Sequence, residues 1–274
     1  MVAGLEGFML KPENGVLNLQ GNILDYICFG TGPKNLVMIP GLGDGLKTVR
    51  GMALPFALLY RALAKDFTVY VFSRQRDLPA GTTTRDMAET LNDALEGLGL
   101  SAVSVVGISQ GGMIAQWLAI DHPETIEKLV LAVTLARPNP TVQDVIAQWI
   151  GMAEHGDYKN LMMDTAERSY SEKRVRLLKL EYRLLGNIGR PRSFDRFLIQ
   201  AESCLTHNTY AFLDRIACPT LVIGGKEDKI VTPAASEEIS MKIPCSRLIM
   251  YDGLGHGLYE EAPDFFRNVL DFCR

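Results

Sequence analysis

What the chain lacks narrows the field first. No window holds about 18 uninterrupted apolar residues, the length a membrane-crossing helix needs, so no membrane insertion is expected. Met1 to Leu10 has neither a basic start nor a long apolar stretch, and no signal peptide is expected. No long basic block exists either. The 28 Lys and Arg stand against 32 Asp and Glu, a net charge of −4. A modest basic excess between Arg168 and Arg196 reads as solvated helix faces, and a nucleic-acid partner is not expected. The five cysteines (Cys28, Cys204, Cys218, Cys245, Cys273) are odd in number, with no C-x-x-C and no pair at metal-ligand spacing. They read as reduced thiols of a cytoplasmic protein, with no metal site. G-x-G-x-x-G and G-K-[S/T] are both missing, which disfavours a nucleotide loop. Histidine is scarce at four residues, so the search for a general base is short.

What is present is an alternation. The 274 residues are 47% hydrophobic, enough for two ordinary domains or one large α/β domain. Strands are expected at Leu24–Phe29, Asn35–Ile39, Phe67–Phe72, Val103–Ile108, Ile126–Ala132, Thr220–Ile223 and Arg247–Tyr251. Helices are expected at Leu54–Lys65, Thr84–Leu98, Gly112–Asp121, Pro233–Lys242 and Pro263–Phe272. Near-continuous apolar strands interleaved with helices imply a mostly parallel central sheet with helices on both faces. Between Arg137 and Asp214 the pattern is mostly helical, with a turn at Gly186–Pro191. Residues 1–136 and 215–274 are therefore expected to form the core, and 137–214 an inserted helical cap. Ligands of such sheets bind at the carboxyl edge, where the cap would sit.

Three residues carry candidate chemistry. Gly107-Ile108-Ser109-Gln110-Gly111 matches G-x-S-x-G between an expected buried strand and a helix, the setting of a nucleophile elbow. A serine hydroxyl needs a general base. His256 lies in Gly253-Leu254-Gly255-His256-Gly257, just past a strand and so at the same sheet edge. His122 reads as the end of the helix after Ser109, while His155 and His207 fall in the cap. The imidazole needs a carboxylate to fix its tautomer. Asp228 follows the strand ending near Ile223, one crossover before His256; Glu227 and Asp252 are its neighbours in competition. Val133 and Thr134 leave the alternative acid position empty. Oxyanion donors are expected from the backbone N–H of Gln110 and of Leu42, in Pro40-Gly41-Leu42-Gly43.

These segments resemble the α/β-hydrolase superfamily over nearly the whole chain. The likeness rests on Ile39–Asp44, Gly107–Gln116, Pro219–Asp228 and Gly255-His256. The Ser109 segment is similar to that of 3-oxoadipate enol-lactonases and small carboxylesterases. Pro40 departs from the pattern, since many members carry His before the oxyanion glycine. Ser109 in place of Asp excludes the nucleophile chemistry of haloalkane dehalogenases and epoxide hydrolases. The resemblance implies ester cleavage through an acyl-enzyme on Ser109, with no metal or organic cofactor. Three alternatives stay open: a lactonase, a C–C bond hydrolase, and a small-molecule-binding signalling protein on the same fold. Cap arginines (Arg168, Arg174, Arg176, Arg183, Arg190, Arg192) could supply a carboxylate-binding residue. Apolar cap residues (Trp149, Met152, Leu161, Met162, Met163, Tyr170, Phe194, Phe197, Phe212) could line a pocket. Substrate size and oligomeric state are not encoded legibly.

Overall fold

The computed structural model describes residues 10–19, 21–185 and 189–274, with side chains described outside 180–188. The leader expectation at Met1–Leu10 and the turn at Gly186–Pro191 thus fall largely or partly outside the described residues.

Eight strands form one sheet: β1 (Glu13–Leu19), β2 (Asn22–Phe29), β3 (Lys34–Ile39), β4 (Phe67–Gln75), β5 (Val103–Ile108), β6 (Ile126–Ala132), β7 (Thr220–Gly225) and β8 (Ser246–Tyr251). Their spatial order is β1-β2-β4-β3-β5-β6-β7-β8. From β4 through β8 every neighbouring pair is parallel. β1 and β2 are antiparallel to each other, and β2 is antiparallel to β4. All six residues of β5 are buried, as a central strand covered on both faces requires. β1 has no buried residue and was not anticipated from the sequence. It is an edge strand, so its alternation is too weakly apolar to announce it.

The helices are α1 (Ala53–Leu59), α2 (Thr84–Gly97), α3 (Gln110–Asp121), α4 (Pro140–Glu154), α5 (Tyr158–Ser169), α6 (Glu172–Leu185), α7 (Asp195–Thr206), α8 (Pro233–Lys242), α9 (Leu258–Glu261) and α10 (Phe265–Cys273). Local chemistry sets their starts. Thr83 caps α2 in a reciprocal box with Asp86, and the Met87, Leu91, Ala94 and Leu95 face is buried. Asn139 caps α4 through Val142 N–H at 2.9 Å, with Pro140 in the first turn. α1 stops at Leu59, six residues short of expectation, and Lys65 lies in a turn. α4 to α7 fill the interval between β6 and β7. No helix among the described residues is long and apolar enough to cross a membrane.

His207, read from sequence as a cap residue, is buried at the end of α7 against the α2–α3 side. Its Nδ1 lies 2.8 Å from Thr84 Oγ1, and the Trp117 ring meets it edge-on. Burial pushes its pKa down to about 3. The unfolded chain therefore takes up a proton near pH 6.5 that the native state refuses, so stability falls as pH drops below that value. At pH 4.5 the cost is about 2–3 kcal/mol. Urea midpoints at pH 7 and pH 4.5 should diverge less in His207→Gln than in the parent. An equal acid loss in both proteins would contradict this assignment.

Candidate active site

The turn from β5 into α3 holds Ser109 at φ 54°, ψ −119°, a strained conformation for a residue with a side chain. Two glycines make the turn possible. A Cβ on Gly111 would lie 2.0 Å from the Ile39 carbonyl oxygen, and one on Gly112 2.6 Å from Thr134 Cβ. Ser109 N–H donates to the Ala132 carbonyl at 2.9 Å, while Thr134 Oγ1 donates to the Ser109 carbonyl at 2.7 Å. Thr134 thus has a structural part at the site that sequence reading did not give it. Ser109 makes no side-chain cap bond to α3, which leaves Oγ for another partner.

That partner is His256. Its Nε2 lies 2.9 Å from Ser109 Oγ, and its Nδ1 lies 2.8 Å from Asp228 Oδ2. The other Asp228 oxygen accepts the backbone N–H groups of Ile230 and Val231 at 2.8 and 3.0 Å. Burial works to raise the Asp228 pKa. The facing His256 and the two N–H donors outweigh it, and the net shift is downward. The loops after β7 and β8 are fastened together by Glu227 N–H on the Leu254 carbonyl at 3.0 Å. Of the competing acids, Glu227 is exposed, and Asp252 is exposed and paired with Lys226 at 2.7 Å. His122 caps α3 with Nε2 3.0 Å from Glu89, and His155 ends α4. The three side chains singled out from sequence are therefore in one hydrogen-bonded line.

The two expected oxyanion donors also flank Ser109. Gln110 is the first residue of α3, and Leu42 opens a short 3-10 turn, Leu42–Gly45. First-turn N–H groups have no partner within their own helix. Gly41 packs directly on the serine, since a Cβ there would sit 3.3 Å from Ser109 Cβ.

A buried polar network lies behind these donors, and sequence reading missed it. The Arg74 guanidinium donates to the Pro40 carbonyl and, at 3.0 Å, to Gln110 Oε1. One side chain thus joins the loop just before Leu42 to the side chain of Gln110. The Gln110 amide reaches on to the Gln200 carbonyl at 2.7 Å and to Ser203 Oγ at 3.1 Å, both in α7. Buried Asp44 accepts Arg74 N–H at 3.1 Å and Arg196 Nη2 at 2.9 Å. Arg74 ties down the loop where Pro40 departs from the more usual His.

Ser109 and His256 open onto a cavity of about 650 Å³. Toward the sheet it is lined by Met38, Val49, Phe56, Tyr60, Val71 and Tyr259. Toward the inserted helices it is lined by Trp149, Tyr158, Met162, Tyr170 and Phe197. Four of the nine apolar cap residues singled out from sequence are among these. Leu161 is packed in the core instead, and the Phe212 ring packs tilted against Trp117. No arginine lines the cavity among the described residues. Arg168 holds Asp164, Arg174 holds Glu260 and Arg176 holds Glu172, whereas Arg190 and Arg192 are exposed. The Arg183 side chain lies outside the described residues.

Known proteins share this architecture. The chain is 28% identical over 96% of its length, and 95% of the other's, to a 2-hydroxy-6-oxononadienedioate/2-hydroxy-6-oxononatrienedioate hydrolase of Pseudomonas putida. It is 26% identical to the pimeloyl-[acyl-carrier protein] methyl ester esterase of Nitrosomonas europaea, covering 84% of this chain and 96% of that one. The crystal structure of an enol-lactonase from Burkholderia xenovorans LB400 superposes with a TM-score of 0.80 at 20% identity, covering 94% of this chain and 99% of the lactonase. Its likeness shows the shared fold. The sequence profile of the alpha/beta hydrolase family matches residues 36–269. The chain has the α/β-hydrolase fold and belongs to the alpha/beta hydrolase family.

Proposed function

We propose that this hydrolase is a serine esterase that cleaves a carboxylic ester of an uncharged small molecule through an acyl-enzyme on Ser109. The observation that carries the reading is the line Ser109 Oγ–His256–Asp228, with spacings of 2.9 and 2.8 Å, opening onto a largely apolar cavity. Ser109 Oγ attacks the ester carbonyl while His256 Nε2 takes its proton. Leu42 and Gln110 N–H receive the developing oxyanion, each such donor contributing about 2.7–4 kcal/mol. The alcohol leaves with the proton from His256. Water then attacks the acyl-enzyme, giving its proton to His256, and the carboxylic acid departs as Ser109 regains its hydrogen. Asp228 stabilises the imidazolium throughout. In this reading α4 to α7 serve as a cap, a small molecule is the partner and the cytoplasm is the setting. No metal or organic cofactor takes part.

A lactone would pass through the same steps. A substrate carrying a free carboxylate is less well supported, because burying that charge without a cation is costly. Lys47 is the one cation among the described lining residues, and it is exposed. Ethyl hexanoate should therefore exceed monoethyl adipate in kcat/KM by about tenfold or more. The reverse order would favour the C–C hydrolase reading, whose cited relative is named for dicarboxylates. Sustained multiple turnover separates an esterase from a ligand-binding signalling protein, for which a single slow turnover is expected.

Arg74 is a positioning residue in this account. Arg74→Met should lower kcat by about 10²-fold through displaced oxyanion donors, with KM changed by less than about threefold. Arg74→Lys should recover part of kcat. A purely structural role would instead lower the fraction of active protein, as counted by active-site titration, and leave the kcat of titrated sites unchanged.

A further inference from the structure

Two phenols on the core side of the cavity have no task in ester cleavage. Tyr60 lines its core side and is only 7% exposed overall, yet its hydroxyl makes no hydrogen bond with any described residue. Tyr259, on α9 three residues past His256, also lines the cavity, and its hydroxyl is likewise unpartnered among the described residues. Their rings are fixed by packing. Tyr60 lies 4.8 Å from the Phe266 ring and 5.3 Å from Phe56, and Tyr259 meets Phe265 edge-on at 6.5 Å. The other two phenols, Tyr158 and Tyr170, stand toward the inserted helices; Tyr170 donates to Glu260 at 2.9 Å, and Arg174 holds the other Glu260 oxygen at 2.8 Å.

Tyr60 is buried and Tyr259 half-buried, and both face the cavity, so a ligand that displaces water from it must itself supply a partner for their hydroxyls. Burial, and then the nearby Glu260 carboxylate, raise the pKa of both hydroxyls, so they remain neutral O–H donors. The surrounding Met38, Val49, Phe56 and Val71 give a chain of carbons apolar contact.

We infer that Tyr60 and Tyr259 form a second recognition point, which takes a neutral oxygen acceptor carried on the substrate's acyl chain. The inference rests on the esterase reading above. It assigns the acyl chain to the core side because the acyl group stays on Ser109 between the two half-reactions, whereas the alcohol must leave before water enters. The substrate class is thereby narrowed to oxo- or alkoxy-acyl esters over plain fatty acyl esters. Sites built to hydrogen-bond a substrate group discriminate strongly against analogues lacking it, because their own polar groups are then left unpaired.

The test uses ethyl hexanoate and its 3-, 4- and 5-oxo analogues. Their affinities for the Ser109→Ala protein are measured by calorimetry, alongside kcat/KM of the wild type. At least one oxo ester should bind about tenfold tighter than hexanoate. Adding Tyr60→Phe and Tyr259→Phe should cut that preference below about threefold while hexanoate affinity changes by less than about twofold. Equal affinities across the series, or a preference that survives removal of both hydroxyls, would overturn the inference. Because binding is read without turnover, this outcome is independent of the esterase reading, which fails separately if the wild type hydrolyses none of the four.

Discussion

Ser109→Ala should lower kcat for ester hydrolysis by about 10⁶-fold while leaving substrate affinity within about threefold. The magnitude follows from the division of labour at the site. On the proposed mechanism, removing Oγ abolishes the acyl-enzyme path, and among the described residues no other hydroxyl or thiol is bonded to His256. Of the five thiols, Cys204 is buried with its pKa pushed up to about 12, and Cys273 up to about 11. What survives is water attack assisted by the oxyanion donors, worth about 10³–10⁴ over the uncatalysed rate. The variant should fold normally, since Ser109 Oγ bonds only His256 among the described residues. Relief of strain does not enter, because alanine is held at the same φ of 54°. Steady-state kinetics with protein purified free of host esterases measures the effect.

Asp228→Asn is the second large expected loss, about 10⁴-fold in kcat. In the native arrangement Asp228 Oδ2 accepts from His256 Nδ1 at 2.8 Å, which leaves Nε2 unprotonated toward Ser109. Asparagine can present its NH₂ to Nδ1 instead, which favours the opposite tautomer and blocks proton transfer from the serine. Oδ1 is engaged by Ile230 and Val231 N–H, so the amide oxygen is drawn to that side and the NH₂ is turned to the imidazole. Because the Asp228 pKa is lowered in the fold, its charge also contributes stability above the unfolded carboxylate range, and this is lost as pH falls through the folded value. The parent should thus lose stability more steeply than Asp228→Asn at acid pH. A kcat within about tenfold of the parent would remove the acid from the mechanism.

Much of the fold could be read because its central strands are almost wholly apolar. Val103–Ile108 and Ile126–Ala132 match the observed bounds of β5 and β6. The site residues announce themselves by their places after strands: Ser109 after β5, Asp228 after β7, His256 after β8. Other features resist such reading for physical reasons. β1 pairs at an edge and buries little. The four residues of α9 are too few to show a helical period. Arg74 meets Asp44, 30 residues before it, and Gln110, 36 residues after it, on three different elements, and no local pattern encodes that meeting. The basic excess from Arg168 to Arg196 reads identically whether it faces solvent or substrate. Only the carboxylates opposite Arg168, Arg174 and Arg176 decide the matter, and these come from Asp164, Glu260 and Glu172. The core-facing tyrosines are similarly silent, because aromatic residues at such positions ordinarily serve packing alone.

Covalent capture at Ser109 tests the central claim most directly. The protein is treated with an organophosphate ester, whose tetrahedral phosphorus mimics the acylation intermediate, and is then digested and mapped by mass spectrometry. The account predicts one adduct per chain, on Ser109, formed in step with loss of ester hydrolysis and absent from Ser109→Ala. An adduct on another residue that tracks the loss of activity, or full hydrolysis by Ser109→Ala, would contradict it.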